Sequence, residues 1–137
     1  MGTTTGLSAQ QQVFNRLISA GVKNTSALTG GIYQMLRPKD SLREDIVVGV
    51  LTMSAEQVQE GVFNVNIHVP NLKLKNDSTQ PDIERFKVIT AAVVAALGNF
   101  YGFDYNFDVS TTGIPYRDGT DWFVNVRVIY TSLRTIN

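Results

Sequence analysis

Cysteine is absent from this sequence of 137 residues. Disulfide bonds and thiolate metal sites are therefore excluded, and the composition fits a reducing compartment. The chain also lacks a phosphate-binding glycine loop, a nucleophile elbow and an HExxH zinc motif. Its motifs therefore point to no catalytic chemistry, cofactor or metal ion.

An excess of charge of either sign is also missing, because twelve basic residues match twelve acidic ones. A protein that binds nucleic acid by neutralising phosphates normally has a basic excess, so we do not expect that mode of binding. A net charge near zero does little to keep molecules apart, which suits a protein that assembles with its own copies.

Long apolar runs are missing too. The longest weakly polar run, residues 88–97, is too short to span a bilayer, and the first residues lack the basic and apolar regions of a signal peptide. We therefore expect a protein without a membrane segment. Its length fits a single domain over residues 1–137, with 1–7 and 132–137 as flexible termini.

The clearest structural pattern is the alternation in residues 61–70, GVFNVNIHVP. Apolar side chains occupy every odd position from Phe63 to Val69, and polar ones occupy the even positions from Asn64 to His68. Successive side chains of a strand point to opposite faces, so this pattern predicts a strand with one buried and one polar face.

Further strands are predicted from other apolar or alternating runs. They cover residues 31–36, 46–53, 103–109 and 121–131. The run IVVGVLTM is almost continuously apolar, which predicts cover on both faces or burial against another copy. We expect it to pair with the strand at 62–69 as an antiparallel hairpin. Residues 37–45 and 110–120 contain proline with charges or glycines and are predicted as connections, the latter a long turn.

Two amphipathic segments predict helices. Residues 9–20 carry an apolar stripe, and Ser8 and Gln11 at their start have the spacing of a capping box. Residues 82–97 repeat apolar side chains every three to four positions, between a proline and a glycine. The intervening residues 23–30 are predicted as a polar connection.

The resulting order, α-β-β-β-α-β-β, predicts an α+β domain. We expect a mostly antiparallel sheet of about five strands with the two helices packed on one face. The opposite face carries polar side chains: Asn64, Asn66, His68, Asp104, Asn106, Asp108, Asn125 and Arg127.

His68 is the only histidine and lies on this polar face. A general base needs an orienting carboxylate and a substrate cleft, and the sequence locates neither, so a solvated or interface role is the simpler interpretation. Asp104 and Asp108 are too far apart along one strand for a close carboxylate pair. Asp118 and Asp121 flank a turn glycine. The sequence thus predicts no catalytic, cofactor-binding or metal-binding residue.

The charged connections next to the predicted strands say more about function than the candidate catalytic residues do. They are either ordinary solvated loops or arms that pair with opposite charges on neighbouring subunits. The candidate interface residues are Arg37, Lys39, Asp40, Arg43, Glu44, Lys73 and Lys75. An open sheet edge offers unpaired amides for pairing between copies as well.

Four segments carry a resemblance to a known family. GIYQ at 31–34, RPKDS at 37–41, DIVV at 45–48 and NVNIHVP at 64–70, in this order of elements, resemble the tail-terminator, or tail-completion, proteins of long-tailed bacteriophages. The resemblance covers about residues 8–130. It rests on element order and length, since the family has no catalytic motif to match.

The resemblance implies a virion structural protein with no enzymatic activity and no cofactor. It implies a homo-oligomeric ring at the head–tail junction, assembled in the host cytoplasm, with a hexamer as the first expectation and a dodecamer as the alternative. The ring would cap the tail tube and join it to the head-side connector, so both proteins are expected partners. DNA would pass without sequence-specific binding along a polar lumen, lined by Asn64, Asn66, His68, Asp104, Asp108 and Arg127.

Other functions stay open from the residues alone. Within the structural class, the chain could be another neck protein, such as a head-closure ring. From different classes, it could be a small α+β enzyme or ligand-binding domain with its site on the Asn/Asp/His face, or a module that binds a host protein. Saturable small-molecule binding that depends on His68 or Asp104 would favour the ligand-binding alternative.

Overall fold

A computed structural model describes residues 4–56, 58–98, 100–102 and 104–133 of the chain. Helices α1, α2 and α3 cover Gly6–Ser19, Val22–Ser26 and Ile83–Leu97. Strands β1 to β6 cover Ile32–Gln34, Asp45–Met53, Val58–His68, Phe100–Tyr101, Tyr105–Asp118 and Asp121–Leu133. The α+β class predicted from the sequence is confirmed.

The six strands form one sheet in the order β1-β2-β3-β6-β5-β4. β1 runs parallel to β2, whereas the other neighbours are antiparallel, including the predicted hairpin of β2 and β3. Helices α1 and α3 contact each other and pack on the same face of the sheet. We call the opposite face the outer face. Compared with the predicted five strands and two helices, the short strand β4 and the short helix α2 are additional.

The alternation in residues 61–70 places one face of the central strand β3 in the core. Phe63, Val65 and Ile67 are fully buried between the sheet and the helices. Their register partners on β6 are valines that are also buried. β3 begins at Val58, earlier than predicted, because its pairing with β6 continues to that residue. This antiparallel pair is the frame to which the other strands are added.

Helix α1 begins earlier than predicted because its N-cap is Thr5. The Thr5 hydroxyl accepts from the Ser8 backbone N–H, which satisfies one of the free donors of the first turn. Val13 and Leu17 of the predicted stripe are fully buried, whereas Ile18 is 52% exposed. The apolar face of α1 is therefore narrower than the sequence pattern indicates.

The polar stretch 23–30 is not simply a connection, because most of helix α2 lies within it. Gly21 and Ala27, both in the left-handed backbone conformation, bound this helix. Ser26 is buried, and its hydroxyl donates to the Val22 carbonyl, so it packs without an unsatisfied group. Apolar periodicity carries little information over so short a helix.

The long turn predicted over residues 110–120 is wrong, because β5 continues through it to Asp118. The turn itself is formed by the next two residues, and Gly119 there has a φ of 62°. Pro115 is tolerated because β4 pairs only with the start of β5, which leaves the far half of β5 at the sheet edge. Phe103, the predicted start of this strand, lies outside the described residues.

The pairing of β5 with β6 has two register shifts, one between Val109 and Thr111 and one between Thr111 and Ile114. Gly113 lies within the second shift and has a φ of 127°. A Cβ atom at Gly113 would lie 2.9 Å from Cγ2 of Thr90 and 3.3 Å from Cγ1 of Val124. Both the backbone conformation and this close approach favour glycine. Gly113 therefore sets how closely the hairpin of β5 and β6 approaches α3.

Replacing Gly113 by alanine is expected to lower the free energy of unfolding by about 2 kcal/mol, from backbone strain and overlap with α3. Urea denaturation would measure the change. Gly49→Ala is the matched control, because a Cβ atom at Gly49 would meet nothing within 4 Å. We expect the control to be as stable as the wild type or slightly more so. Equal losses in both variants would contradict the role assigned to Gly113.

Candidate functional site

Residues 35–44 connect β1 to β2. Residues 35–43 of this connection form a structured projection, which we call the arm. Nε of Arg37 donates to Asp45 at 2.9 Å, and its Nη2 donates to the carbonyls of Ser41 and Arg43 at 3.0 and 3.1 Å. Asp45 is buried and also accepts from the Ser41 hydroxyl. One guanidinium thus ties both ends of the arm to the start of β2, so the arm has a defined conformation.

The arm directs apolar side chains into solvent. Met35, Leu36 and Leu42 expose 66%, 79% and 87% of their surface. Met35 and Asp40 also have φ values of 69° and 58°, in the left-handed region that is uncommon for residues other than glycine. The chain therefore keeps large apolar side chains outside the core and tolerates backbone strain in the same segment. Both features are typical of a contact surface.

The charged residues predicted as an interface near the arm fall into two groups. Lys39, Asp40 and Arg43 are exposed, and their side chains make no ion pair with the described part of the chain. Arg37 and Glu44 are instead bound inside the same chain. The first group alone has side chains free to meet another molecule.

Glu44 joins the start of β2 to α3 through Arg85. Two guanidinium nitrogens of Arg85 lie 2.7 and 2.8 Å from the two carboxylate oxygens, and the same guanidinium donates to the Ser26 carbonyl at 2.7 Å. The hydrogen bonds between the two side chains lower the pKa of Glu44 and raise that of Arg85. The Glu44 side chain is only 8% exposed, so this pair belongs to the internal framework.

The second predicted interface loop, residues 71–80, is tied to the turn between β5 and β6. The Trp122 indole N–H donates to a carbonyl of this loop at 2.9 Å, and the Asn71 amide donates to a carbonyl of the turn. Lys73 and Lys75 are exposed on the loop. The two lysines are therefore presented from an anchored segment.

The outer face carries a cluster of amide side chains near its centre. Asn125 is 7% exposed, and its Nδ2 donates to the side-chain oxygens of Asn66 at 2.8 Å and Asn64 at 3.1 Å. Nε of Arg127 donates to the same Asn64 oxygen at 3.4 Å. The structure thus brings these polar-face residues together and pairs them with one another.

Other residues of the outer face lie around this amide cluster. Asp108 lies near the start of β5 and pairs with Ile129, away from Asn125 of the cluster. Asp104 lies in the bend before β5, so neither carboxylate belongs to the cluster. Sequence reasoning misses Ile114 and Tyr116 on this face, because it assigns them to a turn. The Tyr116 ring stacks on Phe123 with ring centroids 5.5 Å apart. In the sequence, the two-residue spacing of Ile114 and Tyr116 is the pattern that could have indicated a strand here.

His68 lies at the end of β3, in a cleft of about 340 Å³ between the arm and residues 71–80. Burial and the nearby Arg37 guanidinium lower its pKa, so the imidazole is neutral near pH 7. Within the described residues, no carboxylate is hydrogen-bonded to the ring. No group of three or more potential metal ligands occurs in that part of the chain either. A general-base role for His68 therefore lacks its orienting partner.

An apolar groove lies between α3 and the β5–β6 hairpin. Its volume is about 630 Å³. Helix α3 contributes Phe86 and Ala91 to its walls, and the hairpin contributes Pro115, Trp122 and Val124. Sequence reasoning misses this groove, because the predicted turn leaves the hairpin without an inner face. The groove and the arm both expose apolar side chains to solvent.

Comparison with known proteins assigns no family. No protein-family model matches the chain, and no curated protein matches it. In the described ranges, no helix combines the length and apolar character needed to cross a membrane. The candidate surfaces are therefore judged from their own geometry and chemistry.

Replacing Glu44 by glutamine is expected to lower the free energy of unfolding by about 2 kcal/mol at neutral pH, because Arg85 loses its charged partner. The folded-state pKa of Glu44 lies below its usual value of 4.5. The pair therefore stabilises the fold above that pH, and the stabilisation is lost as the pH falls through the lowered pKa. In urea unfolding, the difference between wild type and variant should shrink below about pH 4.

The matched control for this prediction is Glu84→Gln. Glu84 is 83% exposed, and its contact with Lys87 is 3.4 Å long. We expect the control to change stability by less than about 0.5 kcal/mol. A loss in Glu44→Gln that is independent of pH, or no larger than in the control, would contradict the framework role of Glu44.

Proposed function

We propose that this chain is a virion structural protein of a long-tailed bacteriophage that forms a ring at the head–tail junction. The ring caps the tail tube and joins it to the head-side connector, as the resemblance to tail-terminator proteins implies. Its partners are further copies of itself, the tube protein and the connector protein, and the expected ring is a hexamer. The protein catalyses no reaction and uses no cofactor in this role.

The observation that carries the proposal is the arm. Arg37 and Asp45 hold it in one conformation, while Leu36 and Leu42 are left exposed to water. A preformed projection with apolar side chains supports a protein–protein contact, because little ordering entropy is lost on binding. When the arm meets an unlike patch on the next copy, the contact is heterologous, and such contacts can close into rings.

The amide cluster supports a role for the outer face as the lining of a DNA channel. Asn125 donates its side-chain N–H groups to Asn64 and Asn66, so this part of the face consists mainly of neutral amides, with Arg127 as a single cation beside them. Asp104 and Asp108 add negative charge that repels phosphates. A lining of this kind lets DNA pass without holding it.

The cleft beside His68 supports a second candidate, a small-ligand-binding domain. Its volume of about 340 Å³ lies within the range of small-molecule sites, and both charged and apolar groups line it, including Arg37, Lys73 and Trp122. The buried side-chain oxygen of Asn71 has no hydrogen-bond partner in the described residues. Saturable binding in a thermal-shift screen that is lost in His68→Ala would favour this candidate.

The mass of the purified protein across concentration tests the leading proposal. We expect a discrete oligomer, or a concentration-dependent change to one, by native mass spectrometry, and a closed ring in negative-stain images. A protein that stays monomeric throughout and binds a small molecule in a His68-dependent way would contradict the ring and support the second candidate.

The channel-lining role predicts the effect of adding positive charge to the outer face. We expect the double variant Asp104→Lys with Asp108→Lys to retain duplex DNA in a salt-dependent way, because lysines neutralise phosphates and release counterions. Fluorescence anisotropy with labelled duplex DNA would measure binding to the assembled protein, and the wild type should bind much more weakly.

The control for this prediction carries the same charge change elsewhere. Glu56→Lys with Ser19→Lys and Asn24→Lys adds the same four units of positive charge at exposed positions outside the predicted polar face, the arm and the groove. We expect a smaller gain in DNA binding from this variant. Equal gains in both variants would show a charge effect without a channel, and no gain in the Asp104/Asp108 variant would contradict the outer face as the channel lining.

A further inference from the structure

We propose that the groove between α3 and the β5–β6 hairpin receives the arm of a neighbouring copy of this chain. The inference rests on the proposed ring and names the two unlike patches that each subunit uses. Each subunit inserts its arm into one neighbour and accepts the arm of the other, which is the contact pattern of a closed heterologous ring.

The groove has the size and surface of a receptor for aliphatic side chains. Its volume of about 630 Å³ is within the range of ligand pockets, and its walls include Phe86, Pro115 and Trp122. Ile83 at its α3 end is 61% exposed. Covering this apolar surface removes it from water, so an apolar occupant is favoured.

The arm supplies the matching side chains. Leu42 and Leu36 are the two most exposed large apolar residues in the described part of the chain, at 87% and 79%. The arm of the same chain cannot be the occupant, because Arg37 ties it to Asp45 and Leu42 lines the cleft beside His68. The occupant is therefore the arm of another copy.

The charges of the two patches favour this pairing. Lys39, Asp40 and Arg43 on the arm are free of ion pairs within the described residues. The charged residue that lines the groove is Lys87, and its neighbour Glu84 is 83% exposed at 3.4 Å from it. An arm in the groove can therefore pair Asp40 with Lys87, and Lys39 or Arg43 with Glu84.

Substitutions on α3 test the groove without touching the core. Ala91 is exposed in the groove, whereas Ala95, one turn later, is exposed outside it. We expect Ala91→Arg to weaken self-association at least about tenfold and Ala95→Arg to change it less than about twofold. Sedimentation velocity would measure association, and thermal unfolding would establish that both variants fold like the wild type.

Cysteine cross-linking tests the partner of the groove directly, because the chain has no cysteine of its own. Leu42→Cys protein mixed with Ala91→Cys protein should form a disulfide-linked mixed dimer on mild oxidation. Leu7→Cys mixed with Ala91→Cys is the control, since Leu7 is 60% exposed at the start of α1 and lies outside the arm. The control should form mixed dimers in much lower yield.

The outcomes separate this docking site from the ring itself. Rings that persist in Ala91→Arg, without preferential cross-linking from Leu42→Cys, would overturn the docking site and leave the ring proposal intact. A wild type that never self-associates would overturn both. A monomer that binds a fluorescent apolar probe, with binding lost in Ala91→Arg, would assign the groove to an apolar ligand and overturn the docking site.

Discussion

Two consecutive buried carboxylates, Glu44 and Asp45, connect the layers of this fold. Glu44 directly precedes β2 and Asp45 begins it, so in this extended segment the two side chains point to opposite sides of the sheet. Glu44 binds Arg85 of α3, and Asp45 binds Arg37 of the arm. A buried carboxylate without a partner is costly, so α3 and the arm must both be in place when β2 completes the sheet. The same two residues therefore position the helical layer and the projection opposite it.

This constraint also explains why the apolar surfaces stay exposed. The arm cannot turn inward to cover Leu36 and Leu42 without breaking the contacts of Arg37 with buried Asp45. The groove is likewise bounded by well-packed elements, because the close contact at Gly113 sets the distance between the β5–β6 hairpin and α3. A rigid projection and a rigid groove lose little conformational entropy when they meet, which favours association between copies. Internal polar contacts thus prepare surfaces that the chain does not use within itself.

The centre of the fold was predictable from sequence, because a strand with one buried and one polar face alternates strictly, as residues 61–70 do. The far half of β5 was not predictable, because glycine and proline, found here as Gly113 and Pro115, usually end strands. Their tolerance depends on a bulge and on an edge position, and both are tertiary features. Glu44 shows the same limit at the site: it resembles any charged loop residue until folding brings Arg85 to it. The groove could not be predicted because one of its walls is the half of β5 that is predicted as a turn. The framework role of Glu44 could not be predicted because its partner Arg85 is distant in sequence.

A cryo-EM reconstruction of the purified assembly tests the central claim most directly. The account predicts a closed ring in which the arm of each subunit, held by Arg37, lies between α3 and the β5–β6 hairpin of the next. The outer face of each subunit should line the central channel. A symmetric dimer joined through like surfaces, or a ring in which the arms point into solvent and the grooves are empty, would contradict it.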